Sequence, residues 1–370
     1  MQRVFVLGKN KERLSPCTPA RARKLLSKNK AAVFRQFPFT IILKERETGN
    51  TQPLYFKIDQ GSKTTGISLV SINKNSNKVI YACNLVHRGH AISESLTKRR
   101  AIRSSRRSRK TRYRKPKWTN TMSKKQFEHI NKRPKGWLAP SIKSRLDNTV
   151  NLFNKLNKLT PITNVSIENV RFDMQKLSKS KSALNKKRFT LFSKVLKGVK
   201  PSLKDAAAVN SIRNALINSF NLPIELGSGG LTKYNRKQNN YPKEHWIDAA
   251  CVGLSGEEIY IPTSLIPVEI KANGRGSRQM CRVDKNGFPR TSAKKASNKF
   301  NFKTGDIVIA KVKKGKKQGT YLGRVAVRES GYFNITQKSG VVQGISYQDC
   351  RLLHKNDGYS YSNLVNLITT

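Results

Sequence analysis

Residues 98–117 read KRRAIRSSRRSRKTRYRKPK, and twelve of these twenty residues are Lys or Arg. The sequence contains no acidic residue from Ser95 to Phe127. Alanine, arginine and lysine favour helix, and nothing interrupts the stretch before Pro116, so it predicts a helix about 30 Å long. Such a helix is basic on every face and has no apolar stripe to bury. Phosphate backbones could surround it, because guanidinium groups bind phosphate through paired hydrogen bonds.

The charge of the whole chain also indicates a polyanionic partner. Its 370 residues include 74 Lys and Arg against 21 Asp and Glu, a formal net charge of +53. This excess favours nucleic acid over a membrane surface, because the basic stretch lacks the apolar face of a membrane-bound helix. A solvated or disordered basic segment is the alternative for residues 98–117. Against it, strand-like sequence precedes the stretch and helix-like sequence follows it.

The spacing of the cysteines and the lack of long apolar runs limit the cellular compartments in which the protein is expected. Five cysteines are far apart and form no CxxC pair, which predicts free thiols in a reducing compartment rather than a zinc or redox motif. The apolar run in MQRVFVLGKNKERL is too short for a signal peptide, and no stretch approaches the ~20 apolar residues of a membrane span. We therefore expect a soluble, cytoplasmic, nucleoid-associated protein, or an organellar one if the gene lies in an organelle.

Two predicted strands each end at an acidic residue. The strand from Leu54 to Ile58 ends at Asp59, and the strand from Asn164 to Ile167 ends at Glu168. The length of 370 residues suggests two or three domains, and hydrophobic residues, 36% of the chain, suffice for a real core. The remaining predicted elements are a small α+β unit over 1–50, a hairpin of 66–72 and 78–86, helices over 141–159 (with Ser141 as N-cap), 204–220 and 244–254, and a small barrel or compact sheet over 305–353.

Residues 227–238, GSGGLTKYNRKQ, are predicted to form a glycine-rich basic loop. Its glycines could let the backbone approach a nucleic-acid strand, with Lys233 and Arg236 on phosphates. A flexible surface loop is an equally good interpretation. The stretch matches neither a P-loop nor a dinucleotide-binding fingerprint.

Three acids from separate segments could form a metal site. Asp59 and Glu168 end strands, and Asp248 lies three residues after His245 on one face of the predicted helix EHWIDAACVGL. Clustered carboxylates repel one another unless cations neutralise them, and oxygen ligands suit Mg²⁺ or Mn²⁺. Two such ions can drive phosphodiester hydrolysis, with His245 positioning or deprotonating the attacking water. Ordinary surface or turn acids are the alternative.

The sequence HRGH at 87–90, with Cys83 nearby, offers a second set of possible metal ligands. Two hydrogen-bonded histidines at the end of a strand are the favoured interpretation, because isolated histidines are more often structural than catalytic.

Eight motifs follow one another along the chain: YFKIDQGSKTTGISLV (55–70), HRGHAI (87–92), TKRRAIRSSRRSRKTRYRKP (97–116), SIENVRFDMQK (166–176), LKDAAAVN (203–210), HWIDAACVG (245–253), SRQMCRVDKNGFPRT (277–291) and NITQKSGVVQGIS (334–346). Together they resemble the IscB/IsrB family of transposon-encoded RNA-guided nucleases, relatives of the type II CRISPR effectors. By matching motif, the resemblance gives catalytic places to Asp59, Glu168, His245 and Asp248, with the three carboxylates as metal ligands.

The resemblance implies an α/β fold of the multi-domain α+β class, in which an arginine-rich bridge helix interrupts an RNase H-like RuvC sheet. At the N-terminus, RLSPC (13–17) keeps Leu14 and Pro16 of the family's PLMP signature, with Arg13 and Ser15 at the other two positions. The implied units are a PLMP-like domain (1–50), RuvC part I (51–92), the bridge helix (93–117), a helical linker (118–160), RuvC part II (161–202), RuvC part III (203–265) and a C-terminal β-barrel-like domain that reads the target-adjacent motif (266–370).

One departure from the IscB pattern decides between the two family branches. Only 34 residues separate Glu168 from Leu203, and none is Cys or His, so the HNH nuclease unit that IscB proteins carry there cannot be built. The chain therefore resembles IsrB, the variant with RuvC alone. This implies a strand-nicking endodeoxyribonuclease that uses Mg²⁺ or Mn²⁺, with two ions expected.

The implied partners are a long structured guide RNA (omega RNA) and double-stranded target DNA with a flanking motif, in a monomeric ribonucleoprotein with no membrane partner. A non-catalytic guide-RNA- or DNA-binding protein, or an RNA-independent junction resolvase, are the alternatives. The residues that we expect to contact nucleic acid are Lys98, Arg99, Arg100, Arg103, Arg106, Arg107, Arg109, Lys110, Arg112, Arg114, Lys233 and Arg236.

Overall fold

The computed structural model describes residues 2–73, 77–108, 136–175, 203–274, 290, 300–337 and 339–364, apart from the side chains of Arg106 and Arg107. These residues form three β-sheets and six α-helices. The mixed architecture confirms the predicted α+β class.

The first sheet belongs to the N-terminal region and has the strand order β2-β1-β4-β3. Its helix starts after Thr18, whose side chain accepts a hydrogen bond from the Arg21 amide, and Pro19 occupies the first turn. Val4, Val6 and Ile41 are buried in its core. The elements are β1 (Val4–Leu7), β2 (Arg13–Cys17), α1 (Pro19–Ser27), β3 (Ala31–Arg35) and β4 (Thr40–Leu43).

The central sheet has eight strands in the order β17-β11-β7-β6-β5-β8-β9, with β10 paired to β7. The predicted hairpin is confirmed, because β6 and β7 are antiparallel neighbours. Phe56, Ile58 and Val165 are fully buried in its main core. The strands are β5 (Leu54–Asp59), β6 (Thr64–Ser71), β7 (Asn77–Val86), β8 (Ile162–Glu168), β9 (Ile224–Gly227), β10 (Ile259–Tyr260), β11 (Val268–Ala272) and β17 (Tyr359–Asn363).

Five helices accompany the central sheet: α2 (Gly89–Ser108), α3 (Pro140–Asn157), α4 (Leu203–Ile217), α5 (Gly229–Gln238) and α6 (His245–Ala250). Helix α2 follows β7 closely and confirms the predicted basic helix as far as Ser108, while residues 109–117 lie outside the described part of the chain. Ser141 as the N-cap of α3 is wrong. Ala139 is the N-cap residue there, because Pro140 takes the first helical position, where its missing amide hydrogen costs nothing.

The third sheet is an antiparallel meander in the C-terminal region, with the order β15-β14-β13-β12-β16. Val308, Phe333 and Ile335 are fully buried in its separate core. Its strands are β12 (Ile307–Val312), β13 (Gly319–Ala326), β14 (Tyr332–Gln337), β15 (Gly340–Ser346) and β16 (Cys350–His354).

The chain segments immediately before and after the third sheet, β11 and β17, are strands of the central sheet. β11 is parallel to β7 and antiparallel to β17, with Val268 opposite Asn363. Residues 266–370, which the resemblance treats as one unit, therefore contribute strands to two sheets.

The predicted loop at 227–238 is wrong. β9 ends at Gly227, and α5 begins at Gly229 after Ser228, whose hydroxyl accepts a hydrogen bond from the Leu231 amide at 3.2 Å. The serine cap and the helix-forming residues after Gly230 outweigh the glycines, which lie only before the helix and in its first turn.

Candidate functional site

The two acid-ended strands are parallel neighbours in the central sheet. Ile58 of β5 lies opposite Ile167 of β8, so Asp59 and Glu168 come side by side at the same edge. The two carboxyl groups lie close enough for Asp59 to raise the pKa of Glu168. The sequence predicted two acids on separate strands, and the register of β5 and β8 brings them together.

Helix α6 carries His245 and Asp248 to the same edge. Its backbone packs directly on β6, where the Ser68 hydroxyl donates to the Trp246 carbonyl at 2.7 Å. Gly66 permits this approach, since a methyl group there would lie 1.8 Å from the His245 carbonyl oxygen. The His245 Nδ1 atom lies 3.4 Å from Asp59 Oδ2. All four predicted catalytic residues are therefore close together.

Burial and mutual repulsion raise the pKa values of two of the acids. Burial, followed by the hydrogen bond and the charge of Asp59, raises the pKa of Glu168 to about 9. Burial and then the charge of Asp59 raise the pKa of Asp248 to about 6. The hydrogen bond with Asp59 is the largest cause of the raised pKa of His245. Each shift favours the protonated form, as expected for buried carboxylates that lie close together, although the charges of Arg236, Lys243 and His245 oppose the shift of Asp248.

The donor chemistry suits a hard divalent cation, although the side chains are engaged with one another. Among the residues that the structure describes, no group of three His, Cys, Asp or Glu side chains is arranged to hold a metal ion. Instead, Asp59 acts on Glu168, and Asp248 Oδ1 lies 2.7 Å from Arg236 Nε. Asp59, Glu168 and Asp248 offer the oxygen ligands that Mg²⁺ and Mn²⁺ prefer once these contacts open.

Helix α5 supplies contacts that the sequence interpretation missed. Thr232 is 2% exposed and its side chain lowers the pKa of Glu168, while Arg236, one turn later, pairs with Asp248. The buried Asn235 side chain donates to the Cys251 and Gly253 carbonyls at 3.0 and 2.9 Å, which ties α5 to the end of α6. The spacing of four between Thr232 and Arg236 was the available signal, and the loop interpretation concealed it.

A family model described as "RRXRR protein" matches residues 4–188, half of the chain. The chain belongs to the RRXRR protein family. The matched residues include Asp59, Glu168 and all of α2. This family is associated with IscB- and IsrB-like proteins, so the broad resemblance is supported and the assignment to IsrB stays a prediction. A search of curated proteins gave no match to this RRXRR protein.

In this RRXRR protein, helix α2 exposes four of the side chains that are predicted to contact nucleic acid. Lys98, Arg99, Arg100 and Arg103 are all exposed on α2, and the Arg99 and Arg103 Nε atoms donate to carbonyls one turn back in the helix. Lys233 is exposed on α5, whereas Arg236 faces the acidic site. Arg109, Lys110, Arg112 and Arg114 lie outside the described residues, as do the side chains of Arg106 and Arg107. Nucleic-acid contact by this set stays a prediction.

The histidines of HRGH have separate partners. The His87 Nε2 atom lies 2.8 Å from the Thr65 hydroxyl, and burial, then the charge of Arg145, lowers the pKa of His87 to about 3. His90 Nε2 lies 3.1 Å from Asp205 Oδ1 on α4. This arrangement agrees with structural histidines that fix the start of α2 against the sheet.

A buried lysine connects strand β5 to the segment that follows helix α6. Lys57 is fully buried two residues before Asp59, and its ammonium donates to the Val252 carbonyl just after α6 at 2.8 Å. Burial lowers its pKa to about 8.

Among the helices of the described residues, none is both long enough and apolar enough to cross a membrane.

Proposed function

We propose that this RRXRR protein is an RNA-guided endonuclease that uses Mg²⁺ or Mn²⁺ to nick the DNA strand displaced by its guide. The observation that carries the proposal is the convergence of Asp59, Glu168 and Asp248 beside His245 in a chain with a net charge of +53. Buried carboxylates placed this close together raise one another's pKa, and a divalent cation that also binds phosphate relieves that cost.

Each residue has a distinct part in the proposed chemistry. Asp59, Glu168 and Asp248 would hold the ions, which when bound activate a water and stabilise the leaving oxygen of a phosphodiester. Asp59 orients the His245 ring through Nδ1, which leaves Nε2 for proton transfer. Once the charge of Asp59 is neutralised, the pKa of His245 returns toward its ordinary value near neutrality, where the imidazole can accept a proton from water.

The guide RNA is the proposed source of sequence recognition. Helix α2 exposes four cations between Lys98 and Arg103, as a binding surface for RNA phosphates requires. A base-paired guide would then read the target, while the C-terminal sheet would read a short flanking motif. The resemblance to IsrB favours one long structured RNA bound to a monomer.

A single carboxylate site predicts a nick rather than a double-strand break, because its metals address one scissile phosphate at a time. Segment 169–202 contains no Cys or His for a second nuclease unit. In the family that the chain resembles, the RuvC site faces the displaced strand.

A supercoiled plasmid with a matched target and strand-specific labels tests the proposal. We expect open circles nicked on the displaced strand, dependent on the guide RNA and on Mg²⁺ or Mn²⁺. Linear product at low enzyme, or cutting of the guide-paired strand, would contradict the single-site proposal. Cleavage of branched DNA without RNA would instead indicate a junction resolvase, and binding without any cleavage would indicate a non-catalytic protein.

A further inference from the structure

Helix α5 places a cation directly against one of the acidic residues. Arg236 Nε lies 2.7 Å from Asp248 Oδ1, and the two side chains are only 12% and 17% exposed. The side chain of Thr232, one turn earlier on the same helix, lowers the pKa of Glu168. One face of α5 therefore lies beside two of the three carboxylates.

The contact between Arg236 and Asp248 is close but poorly aligned. The buried Nε atom of Arg236 has no acceptor within hydrogen-bond geometry among the described residues, although Asp248 Oδ1 is within ion-pair distance. A strong arginine–carboxylate pair needs aligned N–H···O bonds in addition to Coulomb attraction. This ion pair lacks that alignment at Nε, which makes it weaker than a fully hydrogen-bonded arginine–carboxylate pair.

Helix α5 is held in place, so any movement of the guanidinium must come from rotation within the Arg236 side chain. Asn235 is fully buried and bonded to the Cys251 and Gly253 carbonyls, and Ser228 caps the first turn of α5. The backbone at position 236 is thereby held beside Asp248, while the long arginine side chain retains several rotatable bonds.

We propose that Arg236 is a positioning residue that occupies the place of a divalent cation beside Asp248 in the metal-free protein and releases that carboxylate when the cation binds. The inference rests on the proposed function, because it takes Asp248 as a metal ligand. A released guanidinium suits a phosphate group, so the same side chain becomes a contact for the DNA backbone at the cleavage site.

The proposal predicts that removal of the Arg236 guanidinium changes metal affinity and cleavage rate in opposite directions. Removing the guanidinium takes away a competing cation and makes the site one charge more negative, so metal should bind about tenfold more tightly or better. Cleavage should nevertheless slow, because the phosphate contact is lost. A residue with a merely structural role would weaken both when removed.

Binding of Mn²⁺ to the full-length protein at high monovalent salt can be followed by the electron paramagnetic resonance of free Mn²⁺. The variants are Arg236→Gln, Arg236→Lys and Asp248→Asn, the last as a blank for adventitious binding. We expect Arg236→Gln to bind Mn²⁺ at least about tenfold more tightly than the wild type, and Arg236→Lys to stay within about threefold of it, since lysine keeps the charge. Equal or weaker binding by Arg236→Gln would overturn the proposal.

A matched variant distinguishes loosening of helix α5 from removal of the cation that competes with metal for Asp248. Asn235→Ala removes the bonds that tie α5 to α6 and keeps Arg236, so it should lower the melting temperature and weaken Mn²⁺ binding. If both the wild type and Arg236→Gln bind no more Mn²⁺ than Asp248→Asn, the metal site and the proposed function fail together. If the wild type binds and Arg236→Gln gains nothing, this inference alone fails.

Discussion

The imidazole of His245 and the carboxylate of Asp59 face each other, with Nδ1 and Oδ2 3.4 Å apart, although the two residues come from a helix and a strand 186 positions apart in sequence. Asp59 also raises the pKa of Glu168. Asp59 thus lies beside both Glu168 and His245, and its removal should have a large effect on the chemistry.

Asp59→Ala should reduce cleavage by more than about hundredfold and leave RNA-dependent target binding intact. In the proposed function one carboxylate serves the metal, whereas binding would depend on many cations elsewhere. Nicking assays and gel-shift titrations with the same guide and target would measure both. The exposed Glu258→Ala is the matched control and should change neither. Equal loss of binding and cleavage in Asp59→Ala would count against the site assignment.

Neutralising Arg99, Arg103, Arg106 and Lys110 together should weaken binding of guide RNA. Arg99 and Arg103 are exposed one turn apart on α2, and the other two continue that spacing in the sequence. If all four contact phosphates, the slope of log affinity against log salt should shrink by roughly 3–4.

The control for this variant removes the same charge from exposed lysines at the end of β12 and in the turn after it, Lys311, Lys313, Lys314 and Lys316. It should leave the salt slope for the guide RNA unchanged. An unchanged slope in the α2 variant would place the RNA elsewhere on the protein.

Metal should stabilise the protein more strongly as pH rises. The pKa of Glu168 is raised from 4.5 to about 9 and that of Asp248 from 3.8 to about 6. For groups with raised pKa values, the stabilising contribution is full below the unfolded values and is lost as pH increases through the folded ones. Metal binding displaces those protons, so its affinity grows across the same interval.

Melting temperatures with and without Mg²⁺ at pH values between 6 and 9 would test this. We expect the Mg²⁺-induced increase to grow with pH in the wild type and to grow less in Glu168→Gln, which cannot ionise at that position. The comparison between the two proteins cancels effects of Mg²⁺ elsewhere. Identical pH dependence in both would contradict the assignment of the raised pKa to Glu168.

Gly66→Ala should displace α6 and impair the site. The added methyl group would lie 1.8 Å from the His245 carbonyl oxygen, and no flexible side chain is there to give way. Overpacking of this kind costs about 1–3 kcal/mol of unfolding free energy, and cleavage should fall further because His245 and Asp248 move with the helix. Denaturant unfolding and nicking rates measure the two effects.

Gly230→Ala is the control for that variant. The nearest atom to its new methyl group would be 3.9 Å away, so its stability should match or slightly exceed that of the wild type. If Gly66→Ala behaved like Gly230→Ala, the close contact between β6 and α6 would be disproved.

The acids of the site could be predicted because local sequence places each of them. Asp59 and Glu168 follow short apolar strands, and Asp248 lies on the same helical face as His245. Parallel pairing of β5 and β8 then needs only the usual rule that their carboxyl ends meet at one edge.

Other features carried no usable local signal. The pairing of Arg236 with Asp248 was hidden because three glycines in GSGGLTKYNRKQ indicated a loop, while the Ser228 cap pointed to a helix. The pairing of β11 with β17 joins segments about ninety residues apart, and strand periodicity says nothing about the partner of a strand. Burial of Lys57 depends on the Val252 carbonyl, which only the folded chain brings near.

The position of β17 at the edge of the central sheet affects how the protein is made. About 90 residues separate β11 from its neighbour β17, so at about 5–20 residues per second a ribosome needs roughly 5–18 s to make β17 after β11. Throughout that interval the outer edge of β11 has no strand beside it, and an unpaired edge is a template for pairing with other chains. Slow translation of the third sheet, which lies between β11 and β17, would lengthen this exposure and favour aggregation on crowded polysomes.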